Sequence, residues 1–416
     1  MSLDNQLIAV IGEMNAFRVV CVLLPSRALS DVRVHISGCG HVLVGRLEAL
    51  SPCRIELPLP ANSNANVVMR WTAEGFRGRH MERVVQRRIE GSMIGVLNGD
   101  SHWRPGTRPT WETLNATLPR LGLLLRLQDQ VCHGPVFRRA LERAAAGDHR
   151  VSRDMFVRNY IDAWSKPWRR PSLETVSNLM IGDGRDISEA EAVGAGDAFQ
   201  IVKRCALEVH TSIQCALRFD PAETDFYATT HNGVRLLLLG QTYHMPNTAR
   251  IYDEYLSEML MDGKPSIVLF SKAPLDPFER ATGGDDVRTR QGDSDADFGH
   301  LYSLLATNPA LRGRPVVCGG RQRSAQLKIG LVRTGAQLLM HVIPAMASTG
   351  SDNSSVFYNR DERLFEMDEA IERRGNGFMA VSLDRYNFRA ESSYLRRLPL
   401  FWRGVNAICT ALRLDS

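Results

Sequence analysis

Short apolar runs separated by turn residues dominate the first 90 residues of the chain. The runs are rich in Val, Ile and Leu, and Gly, Pro, Ser and Asn separate them at strand-and-turn spacing. This pattern predicts a small β-sandwich over residues 1–90. The predicted strands are Arg18–Leu24, Asp31–Ile36, His41–Leu47, Arg54–Leu57 and Asn66–Trp71.

From residue 91 onwards, apolar runs of strand length alternate with amphipathic segments of helix length. Leu121–Leu127 (LGLLLRL) is apolar at almost every position and predicts a strand buried on both faces, in a sheet covered by helices. The strand–helix alternation predicts an α/β domain over residues 91–350. Within residues 351–416, expected to pack on that domain as a C-terminal extension, Glu362–Arg374 reads as a charged helix. The expected fold class is therefore α/β, with an N-terminal β-sandwich followed by an α/β sandwich domain.

Composition restricts the class of protein but does not indicate a particular reaction. The chain has 416 residues, 44% of them hydrophobic and 23% charged, as in ordinary soluble proteins of two or more domains. A net charge of +5 does not by itself argue for nucleic acid as a partner. No apolar run reaches the ~20 residues that span a bilayer, and the N-terminal residues do not have the pattern of a signal peptide. We therefore expect a cytoplasmic protein without a membrane span.

The cysteines have neither the spacing of a zinc site nor a CxxC pair. The chain has eight of them, mostly within apolar runs. Buried free thiols in a reducing compartment are the expected state.

Carboxylates follow three successive predicted strands of the α/β region. Asp100 and His102 follow the first, Asp129 follows Leu121–Leu127, and Asp183 with Asp186 follow the third. Ligands bind beyond the carboxyl ends of strands in such sheets. Carboxylates and an imidazole gathered there can hold divalent cations, and two cations can bind a phosphate and activate water.

The layout and several motifs resemble the alkaline phosphatase D-like (PhoD-like) class of calcineurin-type metallophosphoesterases. The resemblance runs from about residue 15 to residue 390 with the motif order preserved. It implies a β-sandwich, a metallophosphoesterase-like α/β domain, phosphoric ester hydrolysis and two divalent metals (Fe, Zn, Mn or Ca). The matching stretches are LRLQDQVCHGPVF (Leu125–Phe137) for the family's His-Leu-Gly-Asp-Gln-Val-Tyr, SNLMIGDGRDI (Ser177–Ile187) for Met-Ile-Trp-Asp-Asp-His-Asp, LLLLGQTYHM (Leu236–Met245) for Leu-Asp-Thr-Arg, and VVCGGRQRS (Val316–Ser324) for Ser-Gly-Asp-Val-His.

The sequence departs from the family at the positions that carry chemistry. Asp129 stands at the position of the metal-bridging aspartate, although Gln128 replaces the preceding glycine. Arg185 stands where the family has the histidine that assists catalysis, and arginine cannot act as an acid or base. The family's other side chains at these motifs are replaced by Gly184, Gly240, Gly320 and Gln322.

The count of remaining ligands decides between two hypotheses. A two-metal site needs about six or seven protein ligands, whereas the remnant site keeps Asp129 and at most two more, Asp100 and His102. This favours a degenerate member, inactive or strongly impaired, that binds no metal or one weakly held divalent metal. It would act as a binding or scaffolding protein for a protein partner or a phosphate-containing ligand, with no assigned catalytic residue. The alternative is an active metal-dependent phosphomonoesterase or phosphodiesterase with two divalent metals, in which His244 or His300 completes the site.

Several charged residues are expected to line the same site. Arginines there could bind a phosphate or carboxylate directly, or could form salt bridges with the nearby aspartates. Elsewhere, the basic segment Arg77–Arg88 is expected to be a solvated strand pair or linker rather than a polyanion site, and Gly283–Asp297 lacks the spacing of a calcium loop. The expected lining residues are Asp183, Arg185, Asp186, His244, Arg321 and Gln322.

Overall fold

The computed structural model divides the chain into two compact units, Met1–Val96 with Asp100–Thr224, and Leu97–Gly99 with Asp225–Ser416. Among the residues described, no helix is long and apolar enough to cross a membrane. The structure describes residues 3–61, 65–76, 80–87, 91–99, 108–127, 130–131, 133–182, 196–221, 226–240, 248–271, 295–319, 323–331, 336–343, 365–374, 376–383, 388–395 and 412–413.

The first unit begins with the predicted β-sandwich, built from two antiparallel sheets that share one apolar core. Trp71, Val34 and Val19 are fully buried in that core. The first sheet has the order β1–β2–β5 and comprises β1 (Leu7–Met14), β2 (Arg18–Pro25) and β5 (Cys53–Pro58). The second has the order β4–β3–β6–β7 and comprises β3 (Leu29–Ile36), β4 (Gly40–Leu47), β6 (Val67–Thr72) and β7 (Met81–Val85).

The same unit continues into an α/β layer centred on the apolar run at residue 121. The strand β9 (Leu121–Arg126) lies between β10 (Ser177–Met180) and β8 (Met93–Leu97), and all its residues are buried. β9 and β10 are parallel. The prediction of a strand buried on both faces is confirmed. The helices of this layer are α1 (Arg108–Thr117), α2 (Gly134–Ala145), α3 (His149–Trp164), α4 (Arg170–Glu174) and α5 (Asp197–Ile213).

The second unit is organised by a seven-stranded mixed sheet of order β11–β12–β13–β14–β16–β15–β17. Its middle strands β12, β13, β14 and β16 are parallel, so their carboxyl ends lie at one edge. A further antiparallel group has the order β18–β19–β20. The elements are β11 (Phe226–His231), β12 (Val234–Leu239), α6 (Thr248–Leu260), β13 (Ser266–Phe270), α7 (Asp295–Thr307), β14 (Val316–Gly319), β15 (Arg323–Leu331), β16 (Gln337–Ile343), β17 (Phe365–Arg374), β18 (Asn376–Leu383), β19 (Phe388–Leu395) and β20 (Leu412–Arg413).

The predicted charged helix at Glu362–Arg374 is wrong. Residues Phe365–Arg374 form β17, which pairs antiparallel with β15 along almost its whole length. Glu, Ala, Met and Arg favour helices in isolation, but these preferences are small for each residue. Pairing with a neighbouring strand satisfies the backbone polar groups and overrides them.

Other expectations are tested only in part. Within the basic segment, β7 is a strand, and Arg87 donates to the carbonyls of Pro60 and Ala16. Of the Gly283–Asp297 loop, residues 283–294 lie outside the described part of the chain, and α7 begins at Asp295. Most of the C-terminal extension also lies outside it. Of the described cysteines, Cys21, Cys205, Cys215 and Cys318 are buried, as expected, whereas Cys53 is half-buried and Cys39 is exposed.

A buried carboxylate joins the sandwich to the α/β layer inside the first unit. Glu174, at the end of α4, is fully buried. Its Oε1 accepts a hydrogen bond from Arg170 Nε at 2.8 Å and lies 3.4 Å from the amide nitrogen of Ala9 on β1. Its Oε2 accepts a hydrogen bond from Arg83 on β7. A buried charge is tolerated only when it is paired and hydrogen-bonded, and Glu174 meets both conditions.

Replacing Glu174 with Gln should therefore destabilise the protein by ~3 kcal/mol, because two arginines lose their shared carboxylate in a buried setting. Urea unfolding would measure the change. The matched control is Glu82→Gln, which removes an exposed carboxylate paired with Arg70 and should change stability little. Equal effects of the two substitutions would contradict this role for Glu174.

Candidate functional site

The residues predicted to form the site lie outside the described part of the chain. What the structure describes is the set of strand ends that lead into these positions. Among all the residues that the structure describes, no group of three or more His, Cys, Asp or Glu side chains is arranged to hold a metal ion. The predicted residues concerned are Asp100, His102, Asp129, Asp183, Arg185, Asp186, His244, Arg321 and Gln322.

The segment before Asp129 is held by a buried arginine. Arg126, the last residue of β9, donates from Nε to Asn178 Oδ1 at 2.8 Å and from Nη2 to Ser172 Oγ at 2.9 Å. Its guanidinium carbon also lies 5.6 Å from the centre of the Trp111 ring. These contacts anchor the carboxyl end of β9 to β10 and α4.

A second buried arginine shares the same indole. The guanidinium carbon of Arg169 lies 5.3 Å from the Trp111 ring centre. Burial lowers the pKa of both Arg126 and Arg169 to about 9, so both stay protonated at neutral pH at a cost in solvation free energy. The aromatic face offsets part of that cost.

The segment after Asp129 is held by a buried histidine. His133 is fully buried, and its Nδ1 lies 2.8 Å from Asn159 Nδ2 on α3. Its ring packs edge-on against Phe156 and Tyr160. Its carbonyl accepts the amide protons of residues 136 and 137 at the start of α2. Arg126 and His133, on either side of position 129 in the chain, are therefore both held by buried polar contacts.

The end of β10 is closed by a second buried histidine. A Cβ atom placed on Gly182, the residue before Asp183, would lie 2.3 Å from Cε1 of His210 on α5. A side chain at this position would therefore require the buried imidazole to shift. His210 lies 28 residues after Gly182 in the chain, so no local sequence pattern predicts this contact.

In the second unit, the strand ends carry small and neutral groups. Asn98, after β8, is buried and donates from Nδ2 to the carbonyl of Ile343 at the end of β16, at 3.1 Å. Ser271, after β13, is buried, and its Oγ has no hydrogen-bond partner within the described residues. A Cβ on Gly319 would lie 2.3 Å from the Ser271 carbonyl oxygen and 2.5 Å from Asn98 Oδ1. The backbone and amide groups therefore close this edge tightly.

The end of β12 also lacks an acidic side chain. Gly240, where the resembling family has an aspartate, is buried, and its carbonyl accepts a hydrogen bond from Tyr252 Oη at 2.9 Å. Divalent cations need carboxylates or imidazoles to offset their charge. Among the described strand ends of this unit, Asn98, Gly240, Ser271 and Gly319 supply neither.

His300 lies in the helix layer of the second unit. Its Nδ1 lies 2.9 Å from Asp253 Oδ2, and its side chain is 73% exposed. Asp253 and His300 each lie in the second turn of a helix that follows the carboxyl end of a parallel strand, α6 after β12 and α7 after β13. An acidic partner on Nδ1 restricts the orientation of the ring.

His341 is a core residue. It lies on β16 and is 7% exposed. Burial lowers its pKa to about 4, so the imidazole is neutral at physiological pH.

Comparison with solved structures identifies the fold. The structure of PhoD matches with a TM-score of 0.65 at 11% identity, over 95% of this chain and 87% of that chain. A purple acid phosphatase from yellow lupin (Lupinus luteus) seeds matches with a TM-score of 0.58 at 10% identity, over 94% of this chain and 72% of that chain. The chain has a metallophosphatase fold. No protein-family model and no curated protein matches its sequence.

The metallophosphatase fold confirms the predicted fold class, with a β-sandwich followed by an α/β domain. It also places the described strand ends in context. At such low identity the likeness concerns the backbone architecture alone. The chemistry must be argued from the side chains of this chain.

Substituting Gly319 with Ala should destabilise the protein by about 2 kcal/mol, because the added methyl group meets backbone and amide atoms that have little room to move. Thermal or urea unfolding would measure this. The matched control is Gly196→Ala, where an added Cβ would meet no atom within 4 Å. A Gly319→Ala protein as stable as this control would contradict the close packing of the strand ends.

The buried imidazole of His341 predicts a pH dependence of stability. Its folded-state pKa of about 4 lies below the ordinary 6.5, so the stabilisation is complete above pH 6.5 and is lost as the pH falls towards 4. The loss should reach at most ~3 kcal/mol. Urea unfolding at several pH values across this range should show that the free energy of unfolding of His341→Gln depends less steeply on pH than that of the wild type. The control His80→Gln, which changes a partly exposed imidazole, should keep the wild-type dependence on pH. A wild-type dependence on pH in His341→Gln would contradict the assignment.

Proposed function

We propose that this protein is a PhoD-like metallophosphoesterase-fold protein whose catalysis is lost or strongly impaired, and that it acts by binding. The observation that carries the proposal is a set of replacements in a chain that keeps the metallophosphatase fold over nearly its full length. The resemblance assigns metal ligands or the catalytic histidine to the positions now held by Gly184, Arg185, Gly320 and Gln322.

The packing at the described strand ends also supports this proposal. Gly319 is required by packing, and it matches the glycine of the family's Ser-Gly-Asp-Val-His stretch. The next residue, Gly320, has lost the carboxylate. Packing requirements are thus retained beside a position whose chemistry is absent. This is the pattern expected when a fold is maintained for shape rather than for metal-dependent hydrolysis.

The retained ligand is proposed to be a phosphate-containing group or a protein partner. Arg185 and Arg321 add positive charge at positions where the family holds metals or their neighbours. Guanidinium groups match phosphate and carboxylate oxygens in two-pronged hydrogen bonds. They can take over anion binding from a dication, but they cannot activate a water molecule as a metal does.

Metal analysis combined with hydrolysis assays tests the proposal. The purified protein should show no metal-dependent turnover of aryl phosphate monoesters or diesters with added Fe, Zn, Mn or Ca. Asp129→Asn should leave any background rate unchanged. Stoichiometric metal at this site together with turnover that is abolished by Asp129→Asn would overturn the proposal.

Restoring the family's side chains gives a gain-of-function test. The variant with Gly184→Asp, Arg185→His, Gly320→Asp and Gln322→His should bind Mn²⁺ more tightly than the wild type, because two carboxylates and two imidazoles replace neutral groups and a cation. The matched control carries Gly184→Asn and Gly320→Asn, which add similar volume without charge. Equal Mn²⁺ binding by wild type, control and restored variant would show that these replacements are not what distinguishes the site.

The alternative function is an active metal-dependent phosphoesterase. One observation favours it: Asp253 contacts Nδ1 of His300 at 2.9 Å and orients its ring, in a helix that follows a parallel strand end. An imidazole held in this way is suited to proton transfer. The hydrolysis assay above separates this alternative, since it predicts turnover that falls in His300→Gln.

A further inference from the structure

One edge of the β-sandwich leaves part of its apolar core open. The strand β4 ends the second sheet and, among the described residues, pairs only with β3. Val42 and Val44 on β4, with Cys53 and Ile55 on the adjacent strand β5, pack against the sandwich core but are only partly buried. Leu43, on the opposite face of β4, is 66% exposed. The apolar interior of the sandwich therefore reaches the surface along β4 and β5.

The other three edge strands of the sandwich are covered or carry charge. β1 is covered by β10, whose Ser177 donates from Oγ to the Gly12 carbonyl at 2.8 Å. β7 carries the charged residues Glu82 and Arg83. β5 (CRIELP) carries two charged residues and ends in a proline. Cover, charge and proline are the features by which proteins prevent a sheet edge from pairing with another chain.

β4 lacks these features over most of its length. Its sequence GHVLVGRL contains neither a proline nor an acidic residue. Its one permanent charge, on Arg46 near its end, is paired with Glu48 at 2.7 Å. Valine favours strands, and an apolar edge strand of this length presents a row of backbone N–H and C=O groups to a further strand. β4 is therefore the sandwich edge that is best suited to pairing with another strand.

The order of residues in β4 makes the strand complementary to itself. It is nearly symmetric about Leu43, so antiparallel pairing with a second β4 centred there brings apolar residues opposite each other and opposes no like charges. The facing pairs are Leu43 with its own copy, Val42 with Val44, His41 with Gly45, and Gly40 with Arg46. A contact in which both copies use the same surface closes after two copies.

We propose that two copies of this chain associate through their β4 strands, which pair antiparallel about a two-fold axis at Leu43. Pairing gives the backbone groups along the edge hydrogen-bond partners and covers each Leu43 with its copy. The partly buried valines of the two strands meet, so the apolar core continues across the contact. Because each copy contributes one strand, the contact is smaller than a standard interface, and we expect a reversible dimer. The dimer does not depend on the proposed function.

Sedimentation velocity of the full-length protein over a ~100-fold range of concentration tests the dimer. The wild type should change from monomer to dimer as the concentration rises and should not grow beyond the dimer. Leu43→Lys alters an exposed side chain, so it should fold, but it should remain monomeric because two ammonium groups would face each other across the axis. The matched control is Phe17→Lys, which replaces an apolar residue of the same unit that is 69% exposed and should dimerise like the wild type.

An exchange of charge at Leu43 tests the register of the pairing. Leu43→Glu alone should be monomeric, whereas an equal mixture of Leu43→Lys and Leu43→Glu should recover a dimer, because opposite charges then face each other. A wild type that is monomeric throughout the range would overturn the proposal. So would assembly beyond the dimer, unchanged dimerisation of Leu43→Lys, or the absence of any dimer in the mixture.

Discussion

The pairing of one buried carboxylate with two guanidiniums is the constraint on which the first unit depends. Glu174 is out of contact with water, so its charge must be met by hydrogen bonds from its surroundings. The donors are Arg170 on the same helix, Arg83 on β7 and the backbone amide of Ala9 on β1. This one carboxylate therefore links a strand from each sandwich sheet to α4, and a shift of either strand would leave part of its charge unmatched.

α4 also carries Ser172, which accepts a hydrogen bond from Arg126 at the end of β9. The contact network therefore runs from the sandwich, through α4, to the strand that leads into Asp129. A buried charge pair is weak evidence for net stability, because desolvation offsets most of the attraction. Here the charge pair acts on geometry, because other placements of the sandwich strands against α4 would leave the buried charge unpaired.

The sequence predicted the fold well where patterns are local. The apolar run of β9, the sandwich strands and the parallel strands of the second unit follow from hydrophobic periodicity. It failed at Phe365–Arg374, where a helical composition is overridden by pairing with β15, an interaction between residues far apart in the chain. His133 and Asn159 show the same limit for the candidate site, since their contact arises from the packing of α3 against the start of α2. The predicted ligand positions themselves rest on the family resemblance.

The closed packing at Gly319 has an evolutionary consequence. A residue with any side chain there would collide with the Ser271 carbonyl and with Asn98, so mutation at this position is removed by selection for folding whether or not the protein is an enzyme. A glycine at this position in related chains is therefore evidence that they share the architecture, and it says nothing about whether they catalyse a reaction.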